Sequence, residues 1–253
     1  MLPTNWNQMI ADAMADKVEV VSAHTYRGKK WDTYSKPVVL GCDDGSDYVV
    51  KGSQAGKAIV NEQVVGRLGH LIGAPIPAIK IVNVPAELIA GNSAEISHVR
   101  PGLAHGSALQ NNCTDKEGLG RTDVPENEKR FAALAVLYGW THAGDRQLIY
   151  CLDKPQLVWS VDHGHFFPGG PNWSVPSLQG VGAASVFPEL AAVCEPESIE
   201  EVISVLSTVK LEDIAAAVAA PPDTWAVTIE ERKELAILLE NRRTNLLTWK
   251  PTR

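Results

Sequence analysis

Two aspartates carry the first chemical signal in this sequence. Gly144-Asp145-Arg146-Gln147 is followed, seventeen residues after Asp145, by Val161-Asp162-His163-Gly164. Between them lie an apolar run, Ile149 to Leu152, a turn at Asp153-Lys154-Pro155, and a second apolar run, Leu157 to Val161. That pattern predicts a β-hairpin with one acid near each outer end. Converging carboxylates repel each other unless a cation lies between them, so the pair is a candidate divalent-metal site. The alternative is that each aspartate caps a turn. His163 and His165 flank Gly164, with His142 upstream. His-x-His beside Asp162 is a second possible ligand set, of the kind a zinc hydrolase uses.

A third group lies far upstream. Lys51 ends an otherwise apolar segment, Asp47 to Lys51, and Glu62 lies in the helical stretch that follows. Lys51 is either a solvated strand end or a cation aimed into a cleft. Glu62 is either a surface residue or the carboxylate that fixes that ammonium.

The elements that must position these residues follow from periodicity. A short helix is predicted over 5–16. Strands are predicted over Val18–His24, Lys36–Gly41, Asp47–Lys51, Ala78–Val84 and Glu95–Val99, with Asp44-Gly45 as a hairpin turn. Tyr26 to Ser35 reads as a polar connection. Ala58–Ile72 is the clearest helix of the first half, stopped by Gly73. Arg100 to Asn112 is rich in Gly, Ser and Asn and marks a boundary between residues 1–100 and 101–253. The second part is mainly helical, with helices over Asn127–Thr141, Glu197–Leu206, Leu211–Ala219 and Ile229–Trp249. Pro221-Pro222 separates the last two. Phe166 to Gln179 reads as irregular. Trp159, Phe166, Phe167 and Trp173 read as core around the site, and Arg242-Arg243 as a solvated helix face.

Composition limits the function classes. With 253 residues and 45% hydrophobic content the chain buries a core. No apolar run reaches the roughly 20 residues of a membrane span, so no membrane insertion is expected. No signal-peptide pattern opens the sequence, which makes the cytoplasm the expected location. The net charge of -7 and the lack of a dense basic block disfavour direct nucleic-acid binding. Four separated cysteines, Cys42, Cys113, Cys151 and Cys194, read as reduced thiols, with no CxxC zinc motif.

The order of these parts resembles the protein-kinase-like fold, and most of all the HipA-like kinases, whose lobes are related to those of phosphatidylinositol kinases. The residues that carry the resemblance are Asp44-Gly45 through Tyr48-Val49-Val50-Lys51, Asn61-Glu62 with Leu68, and Gly73-Ala74-Pro75-Ile76-Pro77. Gly144-Asp145-Arg146 and Val161-Asp162-His163-Gly164 add to them, as does the closing Asn241 to Leu247. The resemblance implies an α+β, bilobal fold. Residues 1–100 would be a nucleotide-binding lobe with a small antiparallel β-sheet and one helix. Residues 101–253 would be a mainly helical lobe with the catalytic and metal-binding loops.

It further implies an ATP-dependent phosphotransferase that uses Mg²⁺, with an unknown protein or small molecule as phosphate acceptor. Lys51 would contact the nucleotide phosphates and Glu62 would hold it. Asp145 would orient or deprotonate the acceptor hydroxyl, and Asp162 would bind Mg²⁺. The adenine would lie near the backbone of Ile96 to Pro101. Two departures from the family pattern stand out. Tyr150 occupies the place, five after Asp145, of an expected metal-binding asparagine, so Gln147 is the substitute amide. The glycine-rich phosphate loop is missing, and only Ser35 remains of the Gly-Gly-Ser before Pro37. These departures keep a pseudokinase-like binding module of the same fold as an alternative, and AMP transfer as another. The metal-dependent hydrolase built on Asp162, His163 and His165 is the alternative outside the fold.

Overall fold

The computed structural model describes residues 4–16 and 18–250. Helix α1 (Trp6–Ala15) is capped by the Asn5 side chain and buries Trp6 and Ile10. Strands β1 (Val20–Lys30), β2 (Val38–Cys42) and β3 (Asp47–Lys51) follow, then α2 (Ala58–Leu71) and β4 (Ile79–Val84). Two short helices, α3 (Ala86–Gly91) and α4 (Ser93–Ile96), lead to β5 (Gly102–Ala108). These five strands close into a barrel in the order β1-β2-β3-β5-β4. Closure leaves no free sheet edge. It also corrects the expectation of an antiparallel sheet, because β1 and β4 run parallel where the barrel closes.

The barrel differs from the expected strand set in a way that moves the site. Residues 95–99 form no strand. Ile96 and Val99 lie three apart, a helical spacing, and both are buried in the barrel core with Val21, Leu40, Val50 and Val82. The fifth strand is instead β5, inside the stretch that reads as a linker. Its small residues have low strand propensity, but they are what the barrel accepts: a Cβ on Gly106 would meet Val82 at 2.5 Å and Tyr48 at 3.3 Å. Nor is helix α2 the only helix of the first hundred residues, since α1, α3 and α4 lie there too. β1 is also longer than expected and continues through Lys30 into the supposed polar connection.

Helix α2 is buried on nearly every face. It ends where Gly73 takes a left-handed φ of 70°, and the Ala74 amide returns to the Gly69 carbonyl at 2.8 Å. A two-residue strand, β6 (Cys113–Thr114), then pairs with a hairpin of β7 (Gln147–Cys151) and β8 (Val158–Val161). Before that hairpin comes α5 (Pro125–Thr141), with Pro125 at its first turn and an uninterrupted buried run from Phe131 to Thr141. A helix apolar all round belongs in an interior, and α5 is the central helix of the larger core.

The remaining helices are α6 (Val175–Gln179), α7 (Pro188–Ala191), α8 (Pro196–Thr208), α9 (Leu211–Ala219) and α10 (Ile229–Leu246). α7, α8 and α10 pack on α5, while α6 and α9 pack on α10, and α10 carries one correction. Arg242 is buried, not solvated. Its Nε donates to the Trp140 carbonyl at 2.9 Å and its Nη2 to the Gly139 carbonyl at 2.5 Å. These are orphan carbonyls at the C-terminus of α5, which a cation satisfies well. Burial lowers the Arg242 pKa to about 10. Phe166, Phe167 and Trp173 are core, as their positions beside the site predicted.

Candidate active site

The centre of the site is an ion-paired lysine. Lys51 ends β3 inside the barrel wall, directly opposite His105 of β5. Its ammonium donates to Glu62 Oε1, one face of α2, and to Asp162 Oδ1 at 2.6 Å. Lys51 and Glu62 side chains are only 6% and 4% exposed, and Asp162 is 32% exposed. Burial alone would lower the Lys51 pKa, but the charges of Glu62 and Asp162 outweigh it and the pKa is raised. Burial likewise works to raise Glu62, and the Lys51 charge with the His163 hydrogen bond overcomes it, holding the carboxyl well below its ordinary value. Three residues from two separate parts of the chain therefore form one charged junction.

A buried polar chain supports that junction. The other oxygen of Glu62 lies 3.3 Å from His163 Nδ1. His163 Nε2 lies 2.9 Å from Ser160 Oγ, which is 2.6 Å from the Tyr138 hydroxyl of α5. His105 Nε2 is 3.9 Å from the same Glu62 oxygen, and its Nδ1 is 3.0 Å from Gln63. Burial lowers the His105 pKa to about 4, so it is neutral opposite Lys51 at pH 7.

Asp162 itself adopts a left-handed φ of 58°. Such backbone in a non-glycine residue persists only where surroundings hold it. Asn61 supplies the hold. Its side-chain amide donates to the carbonyls of Gly164 and Phe166, each at 2.8 Å, and its oxygen accepts from Trp173 Nε1 at 2.7 Å. Asn61 and Ser160 carry the support, and periodicity gave no sign of Ser160. Asn61 was visible only as part of the Asn61-Glu62 pair.

The junction forms one wall of a cavity of about 230 Å³ between the barrel and the hairpin. Lys29, Trp31, Pro37 and Val49 line its barrel side, and Gln147, Ile149, Val161 and Asp162 its hairpin side. The segment Ser107 to Gln110 closes the rear. Residues 96–101 do not line it, because α4 turns Ile96 and Val99 into the barrel core. The stretch Ile96 to Pro101, the expected position of a base, therefore lies outside this cavity, and the end of β5 lines it instead.

The hairpin register settles the geometry of Gln147 and Tyr150. Gln147 pairs with Val161, next to Asp162, and Gln147 and Ile149 face the cavity. Alternate residues of a strand point to opposite faces. Tyr150 accordingly points away, where its buried hydroxyl donates to the Gly118 carbonyl at 2.9 Å and accepts from the Gly120 amide at 3.0 Å. Tyr150 is thus a core residue and does not stand at a ligand position. Ser35 is buried in the β1–β2 connection, 5% exposed, and lies outside the cavity walls, while its neighbours Thr33 and Pro37 line them. Asp145 is exposed on the loop that enters β7, two residues before Gln147, with its Oδ1 accepting from the Arg146 amide at 2.7 Å. Gly144 permits that loop to press on the chain after Asp162, since a Cβ there would lie 2.4 Å from the His165 carbonyl.

The donors suit a hard cation. Asp162 offers a partly exposed carboxylate, and Gln147 an amide oxygen with no side-chain hydrogen bond among the described residues. One or two such oxygens, completed by phosphates, are the usual Mg²⁺ environment. Among the described residues no cluster of three or more His, Cys, Asp or Glu could hold a metal by itself. His163 engages both its nitrogens in the buried chain, and His165 packs edge-on against Tyr34 at 6.0 Å. The zinc-type set of Asp162, His163 and His165 is not assembled.

Comparison with known proteins identifies the family. A family model described as HipA-like kinase matches residues 26–167, a span that holds Lys51, Glu62, Asp145 and Asp162. The chain belongs to the HipA-like kinase family. Its family-level reaction class is phosphoryl transfer. Among solved structures, the Helicobacter pylori proinflammatory kinase CtkA is similar to this HipA-like chain at 9% identity, with a TM-score of 0.57, covering 89% of this chain and 93% of that one. That likeness shows the mixed α/β kinase-like fold. A Golgi casein kinase with Mn and ADP bound is matched at 11% identity and a TM-score of 0.42, over 96% of this chain and 75% of that one. No curated protein matches the sequence. Among the described residues no helix is long and apolar enough to cross a membrane.

Proposed function

We propose that the chain is an ATP-dependent phosphotransferase that uses Mg²⁺. The observation that carries the reading is Lys51, held between buried Glu62 and Asp162 at the cavity wall. A buried ammonium with two carboxylate partners is poised to exchange one of them for phosphate oxygens. Phosphoryl transfer asks a protein chiefly for such positioning and charge neutralisation.

The reading divides the chain into two lobes, residues 1–100 and 101–253, with β5 contributed by the second stretch to the first lobe's barrel. The cleft lies between barrel and hairpin. Adenine would lie between Val49 and Ile149, beside the backbone of residues 107–110. Lys51 would bind phosphates and Glu62 would fix it. Asp162 and the Gln147 amide would hold Mg²⁺, which when bound neutralises phosphate charge. Asp145, exposed on the loop that enters β7 and outside the cavity lining, would orient the acceptor hydroxyl. Lys29, also on the barrel side of the cavity, would supply charge where a glycine-rich loop supplies amides. Ser35 has no part in this arrangement. The acceptor is a protein or small molecule.

The test compares thermal shifts with Mg·ATP in the wild type and Asp162→Ala. Stabilisation of the wild type by Mg·ATP and its loss in the variant support the reading. A wild type indifferent to Mg·ATP overturns it. Nucleotide binding with no transfer to any acceptor would favour the pseudokinase-like alternative, and the mass added to the acceptor separates phosphate from AMP.

A further inference from the structure

Cys113 and Cys151 have no role in the chemistry above, yet they are paired. They are register partners across β6 and β7. Their sulfurs lie 3.3 Å apart. The Leu152 amide bonds to the Asn112 carbonyl at 2.8 Å, while the Cys151 amide turns the other way, to Leu157. Cys113 and Cys151 therefore occupy a non-hydrogen-bonded position, where opposed Cα atoms approach to about 4.5 Å. That is within the span a disulfide bridges, roughly 4.4–6.8 Å. The other two cysteines have no such neighbour: Cys42 is buried in the barrel, and Cys194 donates to the Leu190 carbonyl at 3.2 Å.

The pair sits where a cross-link would matter. β6 is only two residues long and fastens the segment after β5 to the hairpin. Leu109, Gln110, Cys113 and Asp115 of that segment line the same cavity as Gln147 and Asp162. We propose that Cys113 and Cys151 are a reversible oxidation site, whose disulfide locks the rear wall of the cleft to the hairpin. This proposal goes beyond the phosphotransferase reading and does not depend on it.

The step balances with a peroxide as oxidant. One thiol gives up its proton, its sulfur attacks a peroxide oxygen, the O–O bond breaks, and the departing hydroxide takes that proton, leaving a sulfenic acid and water. The neighbouring thiol then attacks that sulfur, forming S–S and releasing a second water. The two sulfurs together lose two electrons, which reduce the peroxide. A thiol reductant reverses the change by exchange. Burial pushes the Cys113 thiol up to about 12, which keeps it protonated and slows its oxidation.

The test is mass spectrometry of the full chain after hydrogen peroxide, with peptide mapping and amide exchange. The expected product has lost two hydrogens, maps to a Cys113–Cys151 cross-link, and reverts with dithiothreitol. Exchange at residues 109–115 slows in the oxidised form, and its Tm rises by roughly 8–16 °C for a loop of this length. Neither Cys113→Ser nor Cys151→Ser gives the cross-link, while Cys42→Ser and Cys194→Ser still do. Oxygen additions at either sulfur without a cross-link would overturn the proposal. So would a cross-link that leaves exchange at 109–115 unchanged.

Discussion

Replacing Lys51 with methionine isolates the energetics of the charged junction. Methionine keeps most of the volume and removes the charge. Glu62 then remains as a carboxylate 4% exposed, with only neutral His105 and the His163 contact beside it. Removing one partner of a buried ion pair costs about 3–5 kcal/mol, because the other charge is left uncompensated. The histidine contacts place the expectation at the low end, about 3 kcal/mol. At roughly 2–4 °C per kcal/mol for a chain of this size, Tm falls by about 6–12 °C. The deficit also depends on pH. In the wild type Glu62 is held low, so its contribution is complete above its unfolded pKa and lost only as pH falls through the depressed folded value. In Lys51→Met burial dominates and the folded pKa rises above the unfolded one. The penalty then grows with rising pH and shrinks toward pH 5. Urea unfolding at pH 7.5 and 5, without nucleotide, measures both effects. The double variant Lys51→Met/Glu62→Gln should recover most of the loss, a coupling of about 2 kcal/mol. A single variant within about 1 kcal/mol of wild type, or a double variant no better than the single, would refute a buried, mutually dependent pair.

Other outcomes follow from named contacts. Gln147→Ala should weaken the Mg²⁺ dependence of ATP binding, read by titration at varied Mg²⁺, whereas Tyr150→Phe should leave it unchanged and cost about 1–2 kcal/mol in urea melts through its lost hydroxyl bonds. His105 is neutral in the fold down to about pH 4, so its contribution is full above its unfolded pKa of about 6.5 and falls as pH drops from there toward 4. The wild type should therefore lose stability on the order of 3 kcal/mol across that window, and His105→Gln should flatten the slope of urea midpoint against pH. Arg242→Met should cost about 2–4 kcal/mol by orphaning the carbonyls of Gly139 and Trp140, visible as a lowered Tm.

What the sequence made legible was the spacing of charged residues on regular elements. Lys51 at a strand end, Glu62 in a clean helix, and Asp145 and Asp162 around a hairpin each follow from local periodicity, and the fold brings Lys51, Glu62 and Asp162 to one point. What stayed hidden was set by tertiary packing. β5 reads as linker because its residues are small, and they are small because Val82 and Tyr48 press on Gly106. Residues 95–99 read as strand, although Ile96 and Val99 fill the barrel from a helical turn. Counting five residues from Asp145 puts Tyr150 at a ligand position, but the strand face is set by hairpin register, which turns Gln147 to the cavity and Tyr150 to the core. Asn61 and Ser160 work through backbone carbonyls and a buried histidine, contacts that no periodicity encodes.

In the proposed function Lys51, Glu62 and Asp162 form a nucleotide-phosphate site with a divalent cation. Calorimetric titration of ATP in the presence and absence of Mg²⁺, into wild type and Asp162→Ala, tests it most directly. The expected result is Mg²⁺-dependent binding to the wild type and loss of that dependence in the variant. Equal ATP affinity in all four titrations, or no binding in any, would contradict it.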